Sequence, residues 1–535
     1  MAAVSVLALA TGLASCASQP SGGSGEAQPG VVLAYGTEPQ NPLVATNTNE
    51  VGGGDILREI FAGLVDYSNE GKWQLNHASE ITPNSDATEF RIKLKPGWKF
   101  TNGEDVTAQS YVDAWNYGAY GPNGQLAQSF FENIQGFDEV SGAKATQKEM
   151  SGLKVVSPTE FTVKLSSPQS SFPIQLGHTV FYPLPKVAFQ DMKAFGEHPI
   201  GNGPYKLTEG NAWLHNSKLT TVANPDFKGS DKPRNKGLTF VFYSDPDTAY
   251  ADLLSGRLDT IGTTVPPTAY ANFETDFPNS NANRDIASDQ EFAIPSWLEH
   301  FKGEEGKLRR QAISMAFDRK LITEKLFFST RQPAKEFTAL PLDDVITDVP
   351  GAEVLQFNPD KARELWAKAD AISPWSGSFQ IAYNADGGHQ VWVEAVTNQL
   401  RDNLGIDAHG KAYPTFKQLR DEVTHKSIDS GFRSGWLGDF PTVSNFLEPK
   451  FKTNGSSNDG DYSNPAFDKL LSKAASQPDK KEAAKTYRDA QVILMQDLPV
   501  IPLWYPKASV AWNPKLRNVH ITWNGYPNYS EIEKD

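Results

Sequence analysis

The chain has 535 residues, of which 39% are hydrophobic and 21% charged, and a formal net charge of −14. That length exceeds one compact core and predicts two or three domains. The composition excludes global disorder, and the acidity, with no basic block, excludes a phosphate-tracking nucleic-acid surface. A single cysteine, Cys16, rules out an intramolecular disulfide and a thiol metal site. The nine histidines are scattered, and His-Glu-x-x-His, phosphate-loop and Gly-x-Ser-x-Gly patterns are all missing. No cofactor, metal or catalytic residue is therefore expected, and a secreted hydrolase using Asp439, Glu38 or a histidine is the weaker functional class.

Ala2 to Leu13 is a run of small and apolar residues, too short to span a bilayer and fitting a signal-peptide core. Leu13-Ala14-Ser15-Cys16 resembles the bacterial lipobox, whose cysteine is lipidated and becomes the mature N-terminus, although no Lys or Arg precedes the apolar run. The resemblance implies a signal peptide over 1–16 and lipid on Cys16. The Ser/Gly/Pro-rich stretch that follows reads as a flexible tether over 17–30.

Val31 to Gly36 has strand character, ended by the turn Gly36-Thr37-Glu38-Pro39. Gly52-Gly53-Gly54 reads as a turn before a helix from Asp55 to Leu64, whose Ile56, Leu57, Ile60, Phe61 and Leu64 share one face. Phe90, Ile92 and Leu94 alternate with charged residues, as a half-buried strand requires, and Phe161, Val163 and Leu165 repeat the pattern. Asp105 or Thr107 caps the intervening helix, and the tryptophans here read as core. The strand Leu238 to Tyr243, a helix through Ala249 to Leu254 and a strand from Leu258 form a βαβ unit. Further helices are expected over Leu308 to Arg319, over Lys361 to Ala369 behind Asn358-Pro359, and over Val391 to Leu404 up to Gly405. Strands are expected at Phe379 to Tyr383, Ile406 to Ala408 and Leu498 to Tyr505, with helices from Asn464-Pro465 and over Glu482 to Met495.

The chain is organised around Gly431-Phe-Arg-Ser-Gly-Trp-Leu-Gly-Asp-Phe-Pro-Thr-Val-Ser-Asn-Phe-Leu447. Trp436 and Phe440 are large apolar surfaces, Arg433 and Asp439 opposite charges, and Gly435 and Gly438 leave the backbone bare for close approach. Aromatic walls with a few placed polar groups are the chemistry of a small-ligand pocket. Composition alone leaves open a surface turn with Trp436 in the core and Asp439 in solvent.

Gly-Trp-x-x-Asp followed by Pro and then Asn-Phe-Leu resembles the ligand segment of the peptide-type extracytoplasmic solute-binding proteins (family 5), the receptors of ABC importers. Phe90 to Ala108 and Pro199-Ile-Gly-Asn-Gly-Pro-Tyr-Lys206, with Asn202 in place of the family's Thr, extend the resemblance. Glu291 to Trp297 departs from the family's strand there. The resemblance implies an α/β fold of two large lobes joined by a hinge, type II periplasmic-binding-protein-like, with an additional small α+β subdomain. Residues 31–55, 186–287 and 506–535 would form the first lobe, 56–185 the subdomain and 288–505 the second lobe. Asp439 would hold a peptide α-ammonium and Trp436 a side-chain pocket. Arg433 would receive the carboxylate unless it pairs internally, and Glu38 would border the ligand unless it is a plain turn carboxylate. Gly435 and Leu437 would pair with the ligand main chain like an added strand. The implied partners are a short peptide and a membrane permease, with the receptor a monomer on the outer face of the membrane. An oligosaccharide, metal chelate or other cationic solute in the same fold is the alternative.

Overall fold

The computed structural model describes residues 29–534, apart from Asn49, Thr263 and Thr415; the expected signal peptide, Cys16 and all but the last two residues of the expected tether lie outside them. No helix among the described residues is long and apolar enough to cross a membrane. Two large α/β lobes and a smaller α+β unit make up the fold.

In the first lobe, Val31–Gly36 runs parallel to Gly237–Phe242 on one side and to Thr260–Ile261 on the other. The helix Pro246–Leu254 makes the crossover, started by the Asp245 carboxylate on the Asp247 N–H; this is the predicted βαβ unit. The smaller unit is an antiparallel sheet in the order Ala78–Pro83, Glu89–Leu94, Glu160–Lys164, Leu153–Ser157. Phe90, Ile92, Phe161 and Val163 are buried, as are Tyr111 and Trp115 of the helix Ala108–Ala119. Thr107, not Asp105, caps that helix through a capping box; Asp105 pairs with Lys99 at 2.6 Å. The core of this unit is continuous with Val32, Ala34, Leu238 and Phe240 of the first lobe.

One strand belongs to both lobes. Val500–Trp512 pairs antiparallel with Asn281–Asp285 through its second half, Asp285 opposite Lys507, and with Ser288–Ala293 through its first half, Ala293 opposite Val500. The expected strand stops at Tyr505; the observed one continues through Pro506 to Trp512. Beyond Ser288–Ala293 come Gly431–Leu437, Phe379–Asn384 and Ala408–Tyr413, so that all these strands form one 13-stranded sheet.

Three local expectations are corrected. Gly52 to Gly54 form the first turn of the helix Val51–Ile60, not a preceding turn, and the Glu50 carboxylate caps it on the Gly53 N–H at 3.0 Å. A Cβ on Gly52 would stand 2.5 Å from the Thr37 carbonyl oxygen, so close approach to the first turn explains that glycine. The helix expected over Leu308 to Arg319 divides into Gly303–Met315 and Arg319–Lys325, with Asp318 capping the second. Arg319 is buried, and its guanidinium bonds the carbonyls of Pro502, Ser314 and Leu355. The strand expected at Ile406 to Ala408 starts later, as Ala408–Tyr413.

Candidate functional site

The organising stretch divides into the strand Gly431–Leu437, a turn, and the helix Ser444–Phe451. Ser288–Ala293 covers one edge of the strand along its length, from Ser288 opposite Leu437 to Ala293 opposite Phe432. On the other edge Phe379–Asn384 reaches only Gly431 and Phe432. From Arg433 to Leu437 that edge has no strand partner among the described residues. The Trp436 N–H donates to Asp289 Oδ1 at 2.8 Å, and the Ser288 hydroxyl donates to the Trp436 carbonyl at 3.0 Å. Both backbone groups of Trp436 thus turn to the covered edge. Since neighbouring residues of an extended strand turn theirs to opposite edges, those of Gly435 and Leu437 face the open one.

The glycines of this stretch have a structural reason that the sequence did not disclose. A Cβ on Gly435 would stand 2.7 Å from the Asp289 carbonyl oxygen, and one on Gly438 2.9 Å from the Trp523 ring. The neighbouring strand and Trp523 exclude side chains there.

Asn445, fully buried in the first turn of the helix, ties the segment together. Its Oδ1 accepts the Asp439 backbone N–H at 2.8 Å and the Trp436 Nε1–H at 3.1 Å, and its Nδ2 donates to Asp439 Oδ2 at 2.9 Å. Asp439 Oδ1 faces His178 Nε2 of the smaller unit at 3.8 Å. The His178 ring stacks on Phe130 with centroids 4.6 Å apart, and its Nδ1 accepts the Val180 N–H, which leaves the proton of the neutral ring on Nε2. Burial, with the nearby Arg58 charge, pulls His178 down to about 3. Burial pushes the Asp439 carboxyl up to about 6 against the opposing Asn445 hydrogen bond. Yet 24% of the Asp439 side chain and 19% of that of His178 remain accessible. The accessible part of this desolvated carboxylate lies where the second lobe meets the smaller unit. Tyr67 and Trp523, edge to face at 5.7 Å, stand beside it: Trp523 touches Gly438, and burial, with the charge of Asp439 among the further causes, raises the Tyr67 phenol. Among the described residues Asp439 has no Lys or Arg partner.

Residues 72–458 match the family described as bacterial extracellular solute-binding proteins, family 5 Middle. The chain belongs to that family. It is 24% identical over 507 residues to the oligopeptide-binding protein OppA of Bacillus subtilis, covering 91% of this chain and 90% of that one. It is 26% identical over 495 residues to the dipeptide-binding protein of Lactococcus lactis subsp. cremoris, covering 88% of each. The solved structure of Haemophilus influenzae OppA in complex with RPPGFSPFR superposes with a TM-score of 0.79 at 21% identity, over 95% of this chain and 99% of that one. The fold is that of the two-lobed periplasmic binding proteins.

Within this family-5 fold the remaining sequence-predicted residues fall in different places. Arg433 Nε donates to Asn384 Oδ1 at 2.7 Å, and its guanidinium lies 4.5 Å over the Phe416 ring; it does pair internally. Phe440 is buried, while Leu437 lies half-buried against the cluster of Ile286, Ala508, Val510 and Ile521. Glu38 belongs to another group: its carboxylate meets His215 Nδ1 at 2.7 Å and accepts the Asn216 N–H at 2.8 Å, with Glu197 3.0 Å from the other ring nitrogen. None of its hydrogen bonds reaches the Asp439 group. Beside the strand, Gln290 accepts the Trp504 Nε1–H at 2.7 Å, and His389 accepts the Trp392 Nε1–H at 3.1 Å. Sequence reasoning missed His178 and Asn445 as partners of Asp439. His178 is remote in sequence with no local motif, whereas Asn445 stood in the quoted Asn-Phe-Leu and was readable.

Proposed function

We propose that this chain captures short peptides between its lobes and delivers them to an ABC permease, held at the outer face of the cell membrane by lipid on Cys16. The observation that carries the reading is Asp439, a desolvated carboxylate without a cationic partner among the described residues, one oxygen anchored by Asn445 and the other facing the neutral His178 ring. An α-ammonium supplies the charge and hydrogen-bond donors such a group lacks; a neutral oligosaccharide supplies no charge. The open edge of Arg433 to Leu437 supports the same reading, since Gly435 and Leu437 offer main-chain groups to an extended ligand. On this reading Arg433 would leave Asn384 to take the carboxylate at the far end of a peptide of suitable length. The names of the relatives, oligopeptide- and dipeptide-binding proteins, agree. The lobes would close by bending at Ile286 and Ala287 and in the middle of Val500–Trp512, where the chain passes from one lobe to the other.

Native mass spectrometry of the purified protein, followed by sequencing of what it releases, tests this. Mixed-sequence peptides with free amines are expected. A uniform glycan or metal chelate, with no calorimetric response to free-amine peptides, overturns the reading.

A further inference from the structure

The strand that backs the ligand segment carries an ionic group buried against it. Lys450 Nζ lies 2.7 Å from Asp289 Oδ2 and 3.1 Å from Glu291 Oε2, with side-chain exposures of 5%, 7% and 3%. Burial pushes both carboxyls upward, Glu291 to about 7; burial alone would lower Lys450, but the two carboxylates outweigh it and raise it. One ammonium thus faces two carboxyls, a costly arrangement for a position that a hydrophobic residue could fill. The neighbouring space, about 20 Å³ between Glu291, Ser434, Lys450 and Asp459, has room for one water and no ligand. Asp459 is itself held by Arg420 at 2.6 Å and 3.2 Å. What leaves the triad toward the site is one bond: Asp289 Oδ1 accepts the Trp436 N–H at 2.8 Å. Asp289 is also the residue opposite Trp436 in the ladder, so this side-chain acceptor stands on the edge that the strand pairing covers.

We propose that Asp289, held in place by Lys450 and Glu291, is the positioning residue of the ligand strand. Lys450 fixes one oxygen of Asp289 so that the other takes the Trp436 N–H. That bond adds a side-chain acceptor for the Trp436 N–H at the covered edge, which holds the register in which Gly435 and Leu437 present their backbone groups to the open edge, and it secures the lead-in to Asp439. The affinity part of this inference rests on the peptide reading above; the backbone part does not.

Removing Lys450 alone would strand two carboxyls, so the test neutralises the triad as a whole. One variant, Asp289→Asn/Glu291→Gln/Lys450→Met, keeps an acceptor for the Trp436 N–H. The other, Asp289→Leu/Glu291→Gln/Lys450→Met, removes it. Hydrogen exchange of the unliganded full chain at Trp436 through Asp439 and calorimetry with a free-amine tripeptide are measured on both and on wild type, alongside thermal unfolding. Exchange over this segment about tenfold faster, and affinity about tenfold weaker, are expected for the Leu variant, while the Asn variant, which keeps the acceptor but lacks the Lys450 hold, falls between it and wild type at a similar Tm. Equal exchange and equal affinity in the two variants overturn the proposal and leave the triad a piece of core. Should wild type bind no tripeptide, the function reading fails instead, and the exchange comparison alone decides for or against the positioning role.

Discussion

Replacing Asp439 by Asn removes a charge while keeping the shape of the group and its place against Asn445. The fold lifts the carboxyl from 3.8 to about 6, which makes its ionisation at pH 7 about 3 kcal/mol costlier than in water. A peptide ammonium at hydrogen-bond distance reverses that penalty, and breaking one side of such a buried charged pair costs about 2–5 kcal/mol, or ~30-fold to several thousandfold in affinity. The empty protein responds with the opposite sign. Because the folded-state pKa lies above the unfolded one, ionised Asp439 destabilises the empty fold above about pH 4, most fully above pH 6. Asp439→Asn should therefore raise its stability by up to about 3 kcal/mol at pH 7, and the gain should vanish near pH 3. Calorimetry with a free-amine peptide and its N-acetylated form, on wild type and mutant, closes a double-mutant cycle, and thermal scans of the unliganded proteins give the stability arm. Acetylation should damage wild-type binding about as much as the mutation does and add little to it. Additive losses, or a mutant that binds weakly because it melts early, would refute the reasoning.

Three further outcomes follow from the same structure. Ligand ammonium requires ionised Asp439, whose empty-site carboxyl titrates near 6, so affinity for a free-amine peptide should fall about tenfold between pH 7 and pH 5 in wild type and stay flat in Asp439→Asn, as read by calorimetry. If Arg433 exchanges Asn384 for a peptide carboxylate, wild type prefers a free-acid peptide to its amide and Arg433→Ala loses that preference; equal binding of both by wild type removes the role. Cys16→Ser should shift the protein from the membrane fraction to the medium or leave it unprocessed, whereas processed, membrane-bound mutant protein would sink the anchor.

Much of the fold was legible because local physics marks it. Alternation at Phe90 to Leu94, the Asn358-Pro359 helix start and the Gly405 stop, which sits at φ +69, each follow from residues within one element. Other features were hidden because distant segments decide them. Asn202 looks like a turn residue, but it is buried and bonds both the N–H and the carbonyl of Ala62 at 3.0 Å. The continuation of the last long strand past Pro506 depends on Asn281–Asp285 as its partner, which no local pattern announces. At the candidate site, Trp436 and Asp439 were singled out by their motif, while Asp289, Glu291 and Lys450 were passed over. Buried charges look like surface charges until the partner that neutralises them is known.

On the proposed function, the order of the elements would let one segment serve both recognition and closure. Gly431–Leu437 lies one strand away from Val500–Trp512, with Ser288–Ala293 between them, and the same Val500–Trp512 continues into the first lobe. Ala287, at the crossing, accepts the Gly438 N–H at 2.8 Å, so the turn bearing Asp439 is bonded to the place where the chain changes lobes. Across the cleft His178 belongs to the smaller unit, whose Ser170 also donates its N–H to the Ala475 carbonyl of the second lobe at 2.9 Å. On the proposed reading, a ligand ammonium entering between Asp439 and His178 touches both halves at once, and its contacts exist only when the halves are together. Binding energy at that point therefore acts on the closed arrangement rather than on either lobe alone. Were the contacts made by an ammonium and main-chain amides, which every peptide carries, closure would be insensitive to side-chain identity, and broad sequence tolerance would follow from where the contacts lie.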